Sequence, residues 1–252
     1  MALVTGASSG IGLEIARQLA GRSHHLVLVA RSADKLGKLA EDLAGRYGIN
    51  AYVVTADLTD PLSPPRIGNW LRERGLTIDV LVNNAGFGVA GRFHTSPINR
   101  QLDILQVNAH ALTHLTGVLL PDMIARRFGR ILNVASTAGF QPLPRLAVYA
   151  ATKSYVMSYS DALSAELAGT GVTVTCLCPG PTETAFASVA GMSGMRVFRY
   201  AATAEIVARE GLKAMFAGRR RHVVGSLNRL GTLAARLLPQ RLVLKTGKLL
   251  LR

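Results

Sequence analysis

The 252-residue sequence has few cysteines, few acidic residues and no long uninterrupted apolar segment. Cys176 and Cys178 lie two positions apart, and neighbours this close on one strand make a poor disulfide. We expect both to be small core residues rather than a redox or metal site. No stretch of about 18 consecutive apolar residues is present, so no membrane-spanning helix is predicted. The first residues also lack the basic and apolar regions of a signal peptide, so we expect a cytoplasmic protein.

Acidic residues are scarce and unevenly distributed. The chain has 15 Asp and Glu against 29 Lys and Arg, which gives a net charge of +14. Residues 217–252 hold nine of the basic residues and no acidic one. Because the imbalance lies mainly in this segment, and no aromatics are interleaved with its charges, we expect no nucleic-acid partner. Hydrophobic residues form 49% of the chain, which excludes a disordered protein.

Short β-branched segments alternate with amphipathic segments along the chain. The predicted strands are Ala2–Thr5, Leu26–Ala30, Tyr52–Ala56, Val80–Asn83, Arg130–Ala135, Val172–Leu177 and, more weakly, His222–Val224. Predicted helices include Leu13–Leu19, Leu36–Tyr47, Leu102–Ile124 and Tyr155–Leu167. This alternation predicts an α/β fold, a doubly wound Rossmann-type parallel sheet of about seven strands with helices on both faces. We expect one domain over residues 1–225 and a basic amphipathic extension over residues 226–252.

A glycine-rich segment joins the first predicted strand to the first predicted helix. It reads Gly6-Ala7-Ser8-Ser9-Gly10-Ile11-Gly12, with the spacing Gly-x-x-x-Gly-x-Gly. Glycines allow the backbone to turn tightly and to approach a pyrophosphate, whose charge is met by the N-terminus of the following helix. Such segments also serve as plain strand–helix connections, but the position after a first strand favours a dinucleotide site.

The end of the second predicted strand indicates which dinucleotide is bound. An NAD-preferring site usually has an acidic residue there, which accepts hydrogen bonds from the ribose hydroxyls. Here Ala30 occupies that position and Arg31 follows. A guanidinium pairs with the 2′-phosphate that a carboxylate would repel, so the sequence favours NADP(H). The alternative is that Arg31 is a solvated residue at the start of a helix. Asp57, after the third strand, is a candidate acceptor for the adenine amino group.

Ser136, Tyr149 and Lys153 form the strongest group of candidate catalytic residues. Tyr149 and Lys153 are four residues apart, which places them on one face of a helix. Ser136 follows the fifth predicted strand, at the sheet edge where open α/β sheets bind their ligands. A phenol has a pKa of about 10, and we expect the nearby ammonium to lower it. His110 and His114 have the spacing of a zinc pair but lack a third ligand, so no metal site is predicted.

The sequence resembles the short-chain dehydrogenase/reductase family, and in particular its NADP-preferring ketone and ketoacyl reductases. The resemblance rests on motifs that follow one another in the family's order from residue 1 to about residue 190. They are Thr5-Gly6-Ala7-Ser8-Ser9-Gly10-Ile11-Gly12, Asn83-Asn84-Ala85-Gly86, Asn108, Ser136, Tyr149-Ala150-Ala151-Thr152-Lys153 and Pro179-Gly180. The resemblance implies the strand order 3-2-1-4-5-6-7 and a homodimer or homotetramer.

The resemblance also implies residue roles. Tyr149 exchanges a proton with the substrate oxygen, and Ser136 hydrogen-bonds that oxygen. Lys153 tunes Tyr149 and binds the nicotinamide ribose, while Asn108 holds a water that links Lys153 to solvent. The residues expected to bind NADP(H), besides Tyr149 and Lys153, are Gly6, Ser8, Ser9, Gly10, Ile11, Gly12, Arg31, Asp57, Leu58, Asn84, Ala85, Gly86, Pro179, Gly180, Thr182 and Thr184.

Three variable segments should surround the substrate. Phe87–Pro97 and Gly139–Leu146 are expected at the mouth of the pocket, and Phe186–Tyr200 is expected to form a lid. The lid sequence contains Met192, Met195, Val197, Phe198 and Tyr200, side chains that suit an apolar, adaptable pocket. A loop that merely packs on the sheet would look similar. We expect a small apolar carbonyl or alcohol substrate, but the sequence does not choose among steroid, acyl, quinone and simple ketone.

The C-terminal segment departs from the compact ending usual in the family. Leu227, Leu230, Leu233 and Leu237 keep a helical spacing, and leucines resume among basic residues after Pro239. A basic amphipathic helix is a candidate for peripheral binding to an anionic membrane. The alternative is a helix that covers the substrate crevice or a partner subunit.

Two classes of function remain open at this point. The first is an NADP(H)-dependent oxidoreductase that reduces a ketone or aldehyde, or oxidises the alcohol. The second is an NADP(H)-binding sensor or scaffold without turnover, attached through the basic C-terminal segment. The complete set of Asn108, Ser136, Tyr149 and Lys153 favours the enzyme, because a sensor would be free to lose those residues.

Overall fold

A seven-stranded parallel sheet forms the centre of the molecule. The structure is a computed structural model that describes residues 1–192, 198 and 201–250. The sheet strands are β1 Ala2–Thr5, β2 Leu26–Ala30, β3 Ala51–Thr55, β4 Val80–Asn83, β5 Gly129–Val134, β6 Val172–Cys178 and β9 Arg221–Val223. Their order is β3-β2-β1-β4-β5-β6-β9, and every pair is parallel. The predicted doubly wound sheet is confirmed.

The expected order 3-2-1-4-5-6-7 is also confirmed, because β9 is the seventh strand of this sheet. Two short strands, β7 Thr182–Glu183 and β8 Ala202–Thr203, precede it and form a separate parallel pair. The weakly predicted strand at His222–Val224 is observed one residue earlier. β3 and β5 also begin one residue before the predicted position, which is the usual uncertainty of strand ends.

Helices cover both faces of the sheet. The helices before the C-terminal segment are α1 Gly10–Ala20, α2 Ala33–Tyr47, α3 Ser63–Glu73, α4 Ile98–Leu105, α5 Leu112–Ala125, α6 Ala147–Glu166, α7 Phe186–Val189 and α8 Ala204–Phe216. Successive strand residues point to opposite faces. Val4 packs with α1, α2 and α8 in one core cluster, whereas Leu3 packs with α3, α5 and α6 in another. The apolar strands without alternation follow from this burial on both sides.

The predicted helix Leu102–Ile124 is not continuous. It starts at Ile98, and a π-helical segment over Gln106–Ala111 separates α4 from α5. A single extra residue in such a segment shifts the following side chains around the helix axis, which a regular 3.6-residue pattern does not predict. Asn108 lies inside this segment and is buried.

The C-terminal segment forms two further helices, α9 Ser226–Leu237 and α10 Gln240–Leu250. α9 packs on the short 3₁₀ turn Thr137–Phe140 that follows β5. Arg236 stacks over the Phe140 ring, with 5.1 Å from its guanidinium carbon to the ring centre. Within the described residues, none of the helices is both long and apolar enough to span a bilayer.

Candidate active site

One cavity of about 900 Å³ lies at the carboxyl ends of the central strands. Its lining includes the glycine-rich turn after β1, the residues that follow β2 to β6, and part of α6. Of the predicted site residues, the cavity brings together Gly6, Ser8, Ser9, Gly10, Ile11, Arg31, Asp57, Leu58, Asn84, Ala85, Gly86, Ser136, Tyr149, Lys153, Pro179, Gly180, Thr182 and Thr184. Gly12 and Asn108 are not among its lining residues, although both lie close to those that are.

The glycine-rich turn has the conformation that a phosphate cradle requires. Gly6 and Gly10 have φ of +66° and +56°, in the left-handed region that favours glycine. α1 starts at Gly10, and the Ser9 side chain makes no capping hydrogen bond to it. Ser9, Gly10 and Ile11 line the cavity, so the N-terminus of α1 borders it. The dipole of the helix would stabilise an anionic group at this end of the cavity.

Asn84 holds this turn in place from the neighbouring strand. Its side-chain amide donates to the carbonyl oxygens of Thr5 at 2.9 Å and Gly6 at 3.4 Å. A Cβ on Gly12 would lie 2.4 Å from both the Asn84 nitrogen and the Gly6 oxygen. Gly12 is therefore required for close packing of α1 on the turn. Gly12 is buried, and its predicted contact with the cofactor stays a prediction.

Arg31 and Asp57 line one end of the cavity, after strands β2 and β3. The candidate catalytic residues line the other end, at β5 and α6. Arg31 is exposed and follows β2, while Asp57 and Leu58 follow β3. Asp57 accepts two hydrogen bonds from Thr59, from its amide at 3.0 Å and its hydroxyl at 2.9 Å. Arg31 is thus placed where an adenosine ribose phosphate would lie if the phosphates occupied the glycine turn.

Tyr149 and Ser136 meet at the inner wall of the cavity. Tyr149 lies in the first turn of α6 and is 8% exposed. Burial raises its pKa to about 12, and a hydrogen bond with Ser136 acts in the opposite direction. Ser136 is oriented by two neighbours, since its hydroxyl accepts from the Ala138 amide at 3.1 Å and donates to the Pro179 oxygen at 3.4 Å. Tyr149 is therefore held as the neutral phenol, the form that can donate a proton.

Lys153 lies one turn further along α6 and is buried. Its ammonium donates to the Val134 carbonyl at 2.9 Å and lies 5.7 Å from the centre of the Tyr149 ring. Burial lowers the pKa of Lys153 to about 8, against the smaller opposing influence of Cys176 and Cys178. The expectation that Lys153 lowers the Tyr149 pKa is not met, because desolvation of the phenol dominates at this separation.

Asn108 supports the site from behind. Its side chain donates to the Phe87 carbonyl at 3.0 Å and accepts from the Phe87 amide at 3.1 Å. It also donates to the Thr152 hydroxyl at 3.1 Å. A Cβ on Gly86 would meet the Asn108 oxygen at 3.0 Å and the Lys153 nitrogen at 3.3 Å, so the three residues are in close contact. The structure thus shows Asn108 joining the chain after β4 to α6.

Pro179 and Gly180 lie beside Ser136 in the cavity wall, since the Ser136 hydroxyl donates to the Pro179 oxygen. The Thr182 hydroxyl donates to the Gly180 carbonyl at 3.0 Å. Thr184 packs over the glycine-rich turn, since a Cβ on Gly10 would lie 2.9 Å from its methyl carbon. The residues after β6 therefore contact both the turn after β1, through Thr184, and the residues after β5, through the Pro179 oxygen.

The cavity continues past Tyr149 into an apolar compartment. The Phe186 ring lies 5.2 Å from the Tyr149 ring between centroids. The compartment is lined by Phe87, Phe140, Leu143, Leu146, Phe186, Val189, Met192 and Phe198. Each of the three predicted substrate segments contributes to this list. Met195, Val197 and Tyr200 of the predicted lid lie outside the described residues.

Main-chain hydrogen bonds join the three substrate segments. The Ala90 amide donates to the Ala190 carbonyl at 2.8 Å, and the Gly91 amide donates to the Arg145 carbonyl at 2.9 Å. Gly88 permits close packing at the same place, because a Cβ there would lie about 3.1 Å from Tyr149 and 3.2 Å from Phe186. The segment after β4 therefore connects the lid to the segment after β5.

The C-terminal helices supply lining residues that the sequence reasoning did not assign. These residues are Leu227, Asn228, Gly231, Thr232, Ala234, Ala235, Leu238 and Val243. Their signal in the sequence is a row of mostly small residues at helical spacing, namely Asn228, Gly231, Thr232 and Ala235. A Cβ on Gly180 would lie 2.3 Å from the Asn228 amide nitrogen, so α9 packs directly on the catalytic end of β6.

Two histidines outside this cavity also have defined surroundings. The rings of His110 and His114 meet edge to face with 5.5 Å between centroids, and His110 pairs with Gln106 at 2.9 Å. Among the residues that the structure describes, no group of three or more potential ligands is assembled for a metal. Cys176 and Cys178 are buried with 3.8 Å between their sulfurs, as core residues on one face of β6.

The fold and the residues around the cavity define a Rossmann-type nucleotide-binding protein. Residues 1–192 match the family model described as short chain dehydrogenase. The chain belongs to the short-chain dehydrogenase/reductase family, and the predicted resemblance is confirmed.

Known relatives and solved structures agree with this assignment. A very-long-chain 3-oxoacyl-CoA reductase of Pyrenophora tritici-repentis is 34% identical over 77% of this chain and 58% of its own length. The ketoacyl reductase HetN of Nostoc sp. is 35% identical over 71% of this chain and 62% of its own length. The chain thus spans about three fifths of these relatives. The structure of a short-chain dehydrogenase from Sphingobium yanoikuyae in complex with NADPH superposes with a TM-score of 0.84, at 31% identity over 92% of this chain and 91% of the other.

Proposed function

We propose that this protein is an NADP(H)-dependent oxidoreductase that reduces the carbonyl group of an apolar substrate or oxidises the corresponding alcohol. The observation that supports this most directly is the placement of Ser136, Tyr149 and Lys153 in one cavity, between the glycine-rich turn and the apolar compartment. NADP(H), when bound, supplies or accepts the hydride. The residues of the protein bind and orient the cofactor and the substrate, and they exchange the proton with the substrate oxygen.

Each catalytic side chain has a separate task in this proposal. The Ser136 hydroxyl donates a hydrogen bond to the substrate oxygen, and Tyr149 transfers its phenolic proton to the same oxygen during reduction. The raised pKa of Tyr149 keeps that proton in place before the reaction. Lys153 binds the nicotinamide ribose hydroxyls, and its positive charge stabilises the phenolate that forms. Asn108 is a positioning residue through its contacts to Phe87 and Thr152.

The preference for NADP(H) is proposed from Arg31. The exposed guanidinium lines the cavity directly after β2, and no carboxylate stands at the end of that strand. The Sphingobium relative is described in complex with NADPH, which agrees with this preference. A guanidinium binds a phosphate through parallel charge-assisted hydrogen bonds, whereas it gains little from a ribose hydroxyl.

The apolar substrate is proposed from the lining past Tyr149. The side chains that line the compartment are uncharged. They are Phe87, Phe140, Leu143, Leu146, Phe186, Val189, Met192 and Phe198, together with Leu227, Leu238 and Val243 of the C-terminal helices. An unpaired charge would be desolvated there without compensation, so a substrate that is apolar around its carbonyl is favoured. Two of the relatives are named for the reduction of oxoacyl or ketoacyl groups, which is consistent with this proposal.

The decisive experiment is a Tyr149→Phe substitution tested with a series of ketones. Removing the phenolic proton should lower kcat/KM for NADPH-dependent reduction by about 10²- to 10⁴-fold and leave NADPH binding within a few-fold. The rate is followed by the loss of NADPH absorbance, and binding by cofactor fluorescence. Tyr155→Phe is the matched control, because Tyr155 lies on the same helix but is 42% exposed and bonded to Thr113.

The result also separates the enzyme from the sensor or scaffold. If wild-type protein binds NADPH but reduces no ketone or aldehyde in the series, and Tyr149→Phe behaves like wild type, the enzymatic proposal fails. The protein would then be a binding module attached through its C-terminal segment.

The Arg31 proposal has its own test. Arg31→Gln should weaken NADPH binding by about 10- to 100-fold, since one charge-assisted pair with the 2′-phosphate is lost. NADH binding should change by less than about twofold, because NADH lacks that phosphate. Arg22→Gln serves as the control, since Arg22 is exposed and contacts Phe216 outside the cavity. Tighter binding of NADH than of NADPH by the wild type would refute the proposed preference.

We further propose a cytoplasmic homo-oligomer, a dimer or a tetramer. Exposed apolar side chains on α4 and α6 provide a surface for self-association. Leu102, Leu105 and Tyr155 are 52%, 44% and 42% exposed, respectively. Exposed apolar groups clustered in this way are typical of subunit contacts. Light scattering on the purified chain measures the mass, and a monomer at all concentrations would contradict the proposal.

A further inference from the structure

Helix α9 presents its leucines to the outside and its small residues to the protein. At about 100° per residue, Leu230, Leu233 and Leu237 fall within an arc of about 60° on one face. They are 65%, 54% and 76% exposed. Asn228, Thr232 and Ala235 lie on the opposite face and line the cavity. The amphipathic pattern is therefore inverted relative to that of a helix that packs its apolar stripe on the core.

The leucine face lies in the most basic part of the chain. Residues 217–252 hold nine Lys and Arg and no acidic residue. Arg241 and Lys245, one turn apart on α10, are both exposed. The exposed leucines of α9 and the exposed cations of α10 belong to consecutive helices that only Leu238 and Pro239 separate. We call this set the leucine–basic face, defined by Leu230, Leu233, Leu237, Arg241 and Lys245.

We infer that the leucine–basic face binds the surface of an anionic lipid membrane. Leucines of a surface helix enter the boundary between headgroups and acyl chains, and each nearby Lys or Arg adds electrostatic attraction to anionic lipids. This mode of binding needs neither the length nor the continuous apolar surface of a membrane-spanning helix. The proposal does not depend on the catalytic activity, since none of these five residues touches the candidate catalytic side chains.

Charge selects this occupant over a second copy of the chain. In a two-fold symmetric contact, the same face meets itself. The cations of one copy would then approach those of the other, and residues 217–252 contain no Asp or Glu to pair with them. An anionic bilayer complements both the charge and the apolar stripe.

The position of the face relates it to the cavity. Leu227 and Leu238 line the cavity and are also 75% and 46% exposed, so both reach the surface at the two ends of α9. A protein bound through this face would have the C-terminal wall of its cavity next to the lipid.

The test is flotation of the full-length chain with two kinds of vesicle. One kind is pure phosphatidylcholine, and the other has a third of that lipid replaced by phosphatidylglycerol. The wild type should float with the anionic vesicles and much less with the neutral ones. Leu237→Gln should lower the partition coefficient about tenfold, because an apolar side chain no longer enters the lipid. Arg241→Gln combined with Lys245→Gln should lower it at least tenfold on anionic vesicles.

Leu62→Gln is the matched control, because Leu62 is 54% exposed at the start of α3 and lies outside the leucine–basic face. Its partition should stay within twofold of the wild type. NADPH binding and melting temperature of each variant show that it is folded. Equal flotation of wild type and Leu237→Gln, or absence of the wild type from anionic vesicles, overturns the proposal. A Leu237→Gln variant that loses oligomer mass instead, or a wild type that binds single-stranded RNA but no vesicle, also overturns it.

Discussion

Burial in the same cavity wall shifts the pKa values of Tyr149 and Lys153 in opposite directions. Burial favours the uncharged form of each, so the pKa of the phenol rises to about 12 and that of the ammonium falls to about 8. For Tyr149, the raised pKa keeps the phenolic proton on the side chain at neutral pH. For Lys153 it means that the charge proposed to bind the ribose and to stabilise the phenolate is held at a cost in stability.

We predict that Lys153→Met is more stable than the wild type at pH 7, by about 1–2 kcal/mol. The pKa of Lys153 in the folded protein, about 8, is below the ordinary lysine value of 10.5, so the unfolded chain binds the proton more tightly. Below pH 8 the wild type bears the full cost of a buried charge. As pH rises from 8 to about 10.5, this cost disappears and the wild type gains stability. The difference from Lys153→Met, measured by urea unfolding at pH 7 and pH 10, should therefore shrink.

Lys213→Met is the control for this prediction, because Lys213 is exposed on α8. It should change the free energy of unfolding by less than about 0.5 kcal/mol. A Lys153→Met variant that unfolds at lower urea than the wild type at both pH values would show that the bond to Val134 outweighs the desolvation of the ammonium. Tyr149 titrates above pH 10 and lowers the stability of both proteins there alike, because its folded pKa is raised.

Among the secondary-structure elements, α9 and the end of β6 are packed without a gap. A Cβ on Gly180 would meet the Asn228 nitrogen at 2.3 Å and its Cγ at 2.7 Å. The Asn228 amide also donates to the Val224 carbonyl at 2.8 Å, so the side chain has little freedom to move away. The residue beside the expected nicotinamide site therefore depends on a helix that lies some fifty residues later in the chain.

We predict that Gly180→Ala destabilises the protein by about 1–3 kcal/mol and that a second substitution, Asn228→Ala, restores most of the loss. The methyl group introduced at position 180 overlaps Asn228, and shortening Asn228 removes the overlap. Thermal or urea unfolding of the two single variants and the double variant gives the coupling energy. Purely additive effects in the double variant would mean that α9 does not pack on Gly180 in solution.

Regular elements were well predicted from the sequence, and irregular ones were not. The strands and the Gly6–Gly12 turn follow from local patterns, because buried parallel strands and glycine turns have strong residue preferences. The π-helical segment around Asn108 was predicted as plain helix, since one inserted residue leaves the apolar pattern nearly unchanged. The sequence likewise does not predict which face of α9 packs on the protein, because periodicity places the leucines on one face but does not say whether that face is buried or exposed.

The candidate catalytic residues were found from motifs, but their energetics were not. Spacing placed Tyr149 and Lys153 on one face of a helix and predicted a lowered phenol pKa. The pKa of Tyr149 is instead raised by burial, a quantity that depends on every element around the cavity. A C-terminal helix that covers the substrate crevice was one of two open alternatives, and the sequence did not decide between them because tertiary packing determines where the helix lies.

At the scale of the whole molecule, the C-terminal helices add to the apolar compartment but to none of the expected cofactor contacts. The residues expected to bind NADP(H) all lie before residue 185, whereas Leu227, Leu238 and Val243 close the apolar compartment. α10 also packs on the segment after β5, since a Cβ on Gly247 would lie 3.3 Å from Leu143. The division into a domain over residues 1–225 and a C-terminal extension over residues 226–252 remains a prediction.

We predict that a chain ending at residue 225 binds NADPH within about threefold of the wild type but has a KM for apolar ketones raised at least tenfold. Removal of the C-terminal helices takes away apolar wall and opens the compartment to water, which weakens the burial of the substrate. Cofactor fluorescence and steady-state kinetics measure the two effects. Loss of NADPH binding together with the loss of substrate binding would contradict the separation and would mean that the extension is part of the domain core.

The main-chain hydrogen bonds between the substrate segments have a consequence for protein engineering. Ala90 to Ala190 and Gly91 to Arg145 are joined through backbone atoms, so these links do not depend on which side chains the segments carry. A combinatorial library at Leu143 and Met192 would therefore alter the shape of the compartment while its frame stays in register. Under the proposed function, the scaffold is suited to directed evolution of new ketone specificities, with Tyr149, Ser136 and Lys153 left unchanged.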